Sequence, residues 1–226
     1  MIRIVGTVHV MPVKDEIRRI MTSSEGWHVA IELDPERLRA ILDRRHMETS
    51  SVRSSSPLLL RVLYNIERRV GRSFHQDVGA DMLSAYELAR ELHLNISLID
   101  IPIHVTLRRL MSAPVTERLK LLIEGILMLL LPSGKKVQLE EFLSIKHIEN
   151  LIETFKRRYP SIYEMLVVER DRYLFKRIID LENKFGNVIA FIGALHAINL
   201  RKMFEDQGRD VSDVEQHRTF LTYIVR

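Results

Sequence analysis

Two short apolar runs, one near each end of the chain, stop at the same device. Met1-Ile2-Arg3-Ile4-Val5 leads into Gly6-Thr7-Val8-His9, and Asn187-Val188-Ile189-Ala190-Phe191-Ile192 leads into Gly193-Ala194-Leu195-His196. Each reads as a buried strand followed by Gly-x-x-His. Glycine suits the point where a strand leaves its sheet and the backbone turns sharply or approaches a ligand, and the histidine three residues on stands just past the strand end. In open α/β sheets that rim is where ligands bind. The repeat therefore predicts a fold that brings His9 and His196 together over the carboxyl edge of one sheet.

The chain between them keeps the same habit. Lys14 to Thr22 has Ile17, Ile20 and Met21 at helical spacing, and Trp27 to Ile31 is a second strand that ends in Glu32-Leu33-Asp34. Pro35 restarts a helix with Leu38, Ile41 and Leu42 on one stripe. Met47 to Pro57 is Ser-rich and reads as a loop, Leu58 to Val70 as an amphipathic helix, and Gly79-Ala80-Asp81-Met82 as the start of another. Asn95 to Ile99 is a third strand ending in Asp100. No strand signal follows until residue 182, so 104–182 is expected to be a helical insertion capping the site, within a single domain over 1–226. In it, Ser161 to Phe185 is a helix whose apolar stripe contains Asp171, a buried carboxylate in need of a partner, with Arg108 and Arg109 as candidates. Thr219 to Val225 alternates as a last strand. Strands separated by helices predict an α/β fold with a mostly parallel, mixed central sheet flanked by helices.

Several classes are excluded by what the chain lacks. Without cysteine there is no disulfide framework, thiolate nucleophile or thiolate metal site, which leaves His and carboxylates as ligands. Lys and Arg number 34 against 30 Asp and Glu, and they lie mostly among the acids, so no one-sided basic face for nucleic acid is expected. The most apolar region, Leu119 to Leu131, is interrupted by Lys120 and Glu124 and falls short of the roughly 20 residues a bilayer demands. With a strand at the very start and no signal peptide before it, the expectation is a cytoplasmic protein with no membrane role. The apolar runs Leu58 to Leu63 and Leu127 to Leu131 would also serve a homodimer, core burial being the simpler account. There is no Gly-x-Ser-x-Gly elbow, His-Glu-x-x-His helix, phosphate loop or Gly-x-Gly-x-x-Gly.

What remains is a set of polar side chains at strand ends, His9, Glu32, Asp34, Asp100 and His196. Two imidazoles and a carboxylate are a common ligand set for Zn, Mn, Fe or Co with open positions for water and substrate. His9, Glu32 and His196 are thus the expected metal ligands and catalytic residues, with Asp34 or Asp100 orienting a histidine or acting as base. Each residue alone has a plainer explanation, a helix cap or a satisfied surface histidine. Their convergence from separate segments favours a site.

In order along the chain, Gly6-Thr7-Val8-His9, Ile31-Glu32-Leu33-Asp34 with Arg37, Gly79-Ala80-Asp81 with Ala85-Tyr86, Asp100-Ile101-Pro102-Ile103 with Thr106 and Arg108-Arg109, Glu169-Arg170-Asp171, and Gly193-Ala194-Leu195-His196 resemble the motifs of the TraB family. That family includes the PrgY pheromone-shutdown proteins and is similar to the Tiki proteases, in a wider group with the erythromycin esterases and ChaN. The resemblance spans nearly the whole chain. It implies an α/β fold, His9, Glu32 and His196 as the active centre, and a divalent metal such as Mn, Co or Zn. It also implies second-shell or substrate-binding roles for Arg37, Asp81, Asp100, Arg108, Glu169, Arg170 and Asp171. Peptidase activity on a peptide, ester hydrolysis of a small-molecule substrate, and non-catalytic peptide or small-ligand sequestration of the pheromone-shutdown type all stay open. Two positions depart from the family pattern: Leu195 stands where Gly is usual and Ile101 where Arg is usual, and both bear on the substrate class.

Overall fold

A strand covered on both faces needs apolar side chains on both, and the two runs beside the glycines have them. The computed structural model describes residues 1–7, 14–24, 26–46, 80–130, 145–217 and 220–226. In it β1 (Ile2–Thr7) and β4 (Val188–Gly193) lie side by side and parallel, Gly6 opposite Ile192 and Thr7 opposite Gly193. Gly6 and Gly193 therefore stand on neighbouring strands, one residue out of step. β2 (His28–Ile31) pairs in parallel with the other side of β4 and with β3 (Ile96–Leu98). β6 (Phe220–Val225) runs antiparallel to β1, and β5 (Val211–His217) antiparallel to β6, giving the order β3-β2-β4-β1-β6-β5. The expected mostly parallel, mixed α/β sheet is present. β5 was not expected; the edge segment Val-Ser-Asp-Val-Glu-Gln-His has too few apolar residues to signal itself.

The period-two alternation of the strands divides the core into two layers. Val5, Val29, Ile31, Ile189 and Phe191 face α1 (Lys14–Thr22), α2 (Pro35–His46) and α3 (Ala80–Glu91), where Ile17, Met21, Leu38, Leu83 and Leu88 meet them. Ile2, Ile4, Ala30, Val188, Ala190 and Ile192 face the other way. Between β3 and β4 come α4 (Ile103–Ser112), α5 (Val115–Leu130), α6 (Ile145–Arg158) and α7 (Pro160–Tyr163), then a π-helical turn (Glu164–Val168) and α8 (Glu169–Phe185). α8 and α9 (Ala194–Asp206) cover the second face with Leu174, Ile178, Leu181, Ala197, Leu200 and Phe204. Fully burying a side chain of this size contributes about 1.5–3 kcal/mol, so these layers hold the strand ends firmly in place.

Within the interval 104–182, Leu110, Ala113, Tyr159 and Ile162 of the α4 to α7 region form a small core of their own, whereas α8 belongs to the core on the sheet. The single helix expected from Ser161 to Phe185 is instead interrupted by the π-helical turn, which resets the facing of Glu169, Arg170 and Asp171. Among the described residues no helix is long and apolar enough to cross a membrane. The loop and helix expected over Met47 to Val70, and the run Leu127 to Leu131 as an interface, lie outside the residues whose side chains are described.

Candidate functional site

The parallel strands continue their registration past their ends, and this brings the terminal acids together. Glu32 N donates to Phe191 O at 3.0 Å, Ile99 N to Ile31 O at 2.9 Å and Asp100 N to Leu33 O at 3.1 Å. Glu32 and Asp100 are each 6% exposed, beyond β2 and β3 respectively. A carboxylate this deep needs donors. Glu32 Oε2 takes the backbone N–H of Gly193 at 2.6 Å, so the glycine that ends β4 also fixes the acid that follows β2.

The remaining charge is met by Arg170, from the first turn of α8. Its Nε and Nη2 donate to Asp100 Oδ1 and Oδ2 at 2.8 and 2.7 Å, a two-pronged contact, and Nη2 also donates to Glu32 Oε1. Arg37, at the start of α2, donates Nη1 to Asp100 Oδ2 at 3.0 Å, and Ile101 N donates to Asp100 Oδ1 at 2.8 Å. Burial by itself would lower the pKa of Arg170, but the charges of Glu32 and then Asp100 outweigh it and raise it, so the guanidinium stays charged.

His196 enters from the first turn of α9, directly after Gly193. Its Nδ1 lies 2.6 Å from Asp171 Oδ1 and its Nε2 lies 3.8 Å from Glu32 Oε1. Asn199 Nδ2 donates to the other oxygen of Asp171 at 2.7 Å. α9 can sit this close to the sheet because Gly6 has no side chain. A Cβ there would lie 2.7 Å from Ala197 Cβ and 3.4 Å from Ala194 Cα.

The structure thus brings together Glu32, Arg37, Asp100, Arg170, Asp171 and His196. His9 lies outside the described residues. Two expectations need correction. The partner of Asp171 is neither Arg108 nor Arg109 but His196 with Asn199, because α8 packs on α9. The acid that orients His196 is therefore neither Asp34 nor Asp100. Asp34 caps α2, its Oδ1 accepting from Glu36 N at 2.9 Å and Arg37 N at 3.2 Å, while its buried Oδ2 has no hydrogen-bond partner among the described residues. Asp100 is taken up by the two arginines. Asp81, 2% exposed, accepts from the hydroxyl of Thr7 at the end of β1. Glu169 pairs with Arg109 at 2.6 Å near the surface, and Arg108 lies on the same helix, α4. Asn199 was missed by sequence reasoning, although its place one helical turn after a motif histidine was a usable signal.

The chemistry offered is that of an imidazole held by a carboxylate on one nitrogen and facing another carboxylate with the other. Such an imidazole serves as a proton carrier or a metal ligand. Among the described residues no group of three or more His, Asp or Glu stands ready to hold a metal ion. Glu32 Oε1 and His196 Nε2 form a pair whose donor types fit part of a divalent-metal site, with His9 the residue expected to extend it.

Comparison with known proteins follows the same lines. The family model described as TraB/PrgY/gumN family matches residues 1–213. A protein of Methanocaldococcus jannaschii, described as uncharacterized, is 30% identical over 227 residues, covering 95% of this chain and 56% of that protein. The chain therefore spans little more than half the length of this relative. No solved structure matches it.

Proposed function

This chain belongs to the TraB/PrgY/gumN family, and from that premise we propose that it is a metal-dependent hydrolase acting on peptides. The observation that carries the reading is the juxtaposition of His196 Nε2 and Glu32 Oε1, 3.8 Å apart, with Asp171 on the far nitrogen of the imidazole. His196, Glu32 and His9 would hold the ion. When bound it would act as a Lewis acid on the substrate carbonyl and lower the pKa of water.

The side chains supply the rest. Asp171 keeps the Nδ1 proton on the imidazole and leaves the Nε2 lone pair on the side of Glu32. Arg170 and the Gly193 N–H hold Glu32 in one orientation with Oε1 towards that lone pair, so Oε1 is the oxygen that would share the ion with His196 Nε2. The charge of Arg170 is spent on Glu32 and Asp100, so its part is to hold these two acids in place.

The test is elemental analysis of protein purified without chelator, beside the double variant His9→Ala/His196→Ala at matched folding, followed by turnover of peptide and ester substrates. One equivalent of Mn, Co, Zn or Fe, lost in the variant, with turnover abolished by chelator, supports the reading. Absence of metal after Mn, Co and Zn are added back, together with absence of turnover, overturns it. One observation favours a second reading, ligand sequestration without turnover: Arg170 already satisfies both Glu32 and Asp100, as a static binding cleft would require. Saturable peptide binding without product would identify it.

A further inference from the structure

His196 and Asn199 are three residues apart on α9, hence on one face, and both reach the same carboxylate on α8. Nδ1 of His196 meets Asp171 Oδ1 at 2.6 Å and Nδ2 of Asn199 meets Asp171 Oδ2 at 2.7 Å. An amide has one end that only donates and one that only accepts. Turned the other way, the Asn199 carbonyl would face a carboxylate oxygen, acceptor against acceptor. The amide therefore has one stable orientation, and in it Asp171 Oδ2 is engaged as an acceptor.

That has a consequence for the imidazole. An ionised carboxylate only accepts, so once Asn199 holds Oδ2 and thereby the orientation of the group, Oδ1 faces Nδ1 of His196 and calls for the proton there. We infer that Asn199 is a positioning residue: acting through Asp171, it fixes the neutral His196 as the Nδ1–H tautomer and keeps Nε2 bare on the side of Glu32. The functional motif then runs Gly193-x-x-His196-x-x-Asn199, with Asn199 completing a four-residue chain, Asn199, Asp171, His196 and Glu32, drawn from α9, α8 and the end of β2. The consequence for catalysis rests on the proposed role of His196; the tautomer itself does not.

The experiment is a long-range proton–nitrogen correlation spectrum of protein labelled with nitrogen-15 in histidine, recorded metal-free at pH 8, with His196→Gln identifying the His196 signals. Asn199→Asp keeps the shape of the side chain but replaces the donor with an acceptor, and Asn199→Ser is a second variant that shortens it. The expected result is one tautomer in the wild type, Nδ1 protonated, and a mixture or the reverse tautomer in Asn199→Asp at unchanged circular dichroism. Asn199→Gln should recover the wild-type pattern in part. In assays, kcat in Asn199→Asp should fall about 10–100-fold with KM unchanged, the range for the loss of a group that orients a ligating or catalytic histidine. A wild-type His196 protonated on Nε2, or the same single tautomer in every Asn199 variant, overturns the inference. A tautomer change in protein that shows no turnover under any condition supports the role of Asn199 and overturns the hydrolase reading instead.

Discussion

Asp171 and His196 meet at 2.6 Å across the contact of α8 with α9, and that pairing decides which imidazole nitrogen faces Glu32. Replacing Asp171 by Asn substitutes a group of the same shape that no longer requires a donor from Nδ1. We predict that Asp171→Asn lowers metal affinity or turnover about 10–100-fold. Equilibrium dialysis with Mn or Zn, and steady-state kinetics on the best peptide substrate, would measure it. An unchanged affinity and rate would mean that His196 is not the working imidazole.

Arg170 is the counter-ion of two acids that are each 6% exposed. Its removal leaves uncompensated charge in the interior, and breaking a buried pair in this way costs about 3–5 kcal/mol. Arg170→Met should lose stability of that order in urea denaturation. Adding Glu32→Gln should recover part of it, since Asp100 keeps Arg37 and the Ile101 N–H while the charge of Glu32 has lost its arginine. Arg170→Lys should fall between, because a single ammonium does not reproduce the two-pronged contact with Asp100.

Gly6 is a matter of space. Its missing Cβ would stand 2.7 Å from the Cβ of Ala197, an atom with no rotamer to adjust. Gly6→Ala should destabilise by about 1–3 kcal/mol and push α9, with His196, away from the sheet. Thermal unfolding measures the first effect; the second would appear as a change in the His196 imidazole signals. Gly6→Ala/Ala197→Gly should restore both.

His28 lies at the opposite, amino-terminal end of β2, away from the chemistry. It is buried, its Nε2 is 2.8 Å from Ser97 Oγ, its ring is stacked on Phe185 at 4.0 Å, and its buried Nδ1 has no hydrogen-bond partner among the described residues. Burial, and then the charge of Lys184, lower its pKa. The folded state therefore binds its proton less readily than the unfolded state, whose imidazole titrates near 6.5. Stability from this residue is fully present above about pH 6.5 and is lost as the pH falls from there through the depressed folded value. The stability difference between wild type and His28→Gln should accordingly shrink between pH 7 and pH 5. Urea midpoints at the two pH values would show it, and a constant difference would refute it.

Much of the sheet was legible because a strand of a parallel sheet advertises itself: Ile2 to Val5 and Val188 to Ile192 are unbroken apolar runs, and a polar residue after such a run stands at the rim whatever the rest of the chain does. That is why Glu32, Asp100 and His196 could be named. The connections among them were not legible. Asp171 was visible as a buried acid, but its partner depends on how α8 packs on α9 and on a π-helical turn with no sequence signal. Arg170, beside it, reads as belonging to another helix face, yet it is the cation that joins Glu32 to Asp100. Asn199 looks like any polar residue on a helix. β5 is polar because it is an edge strand, which removes the alternation by which it would be recognised.

The place of β4 between β1 and β2 has a temporal meaning. Synthesis delivers β1, β2 and β3 first, but β1 finds its parallel neighbour only when residues 188–193 have followed. Until then β1 and β2 face a gap, and neither Arg170 nor His196 is in position. Pairing of such distant segments is slow and leaves unsatisfied edges exposed in the meantime. Until β4 is in place Glu32 lacks both the backbone N–H of Gly193 and the neighbouring His196, so the strand that completes the sheet also completes the cluster.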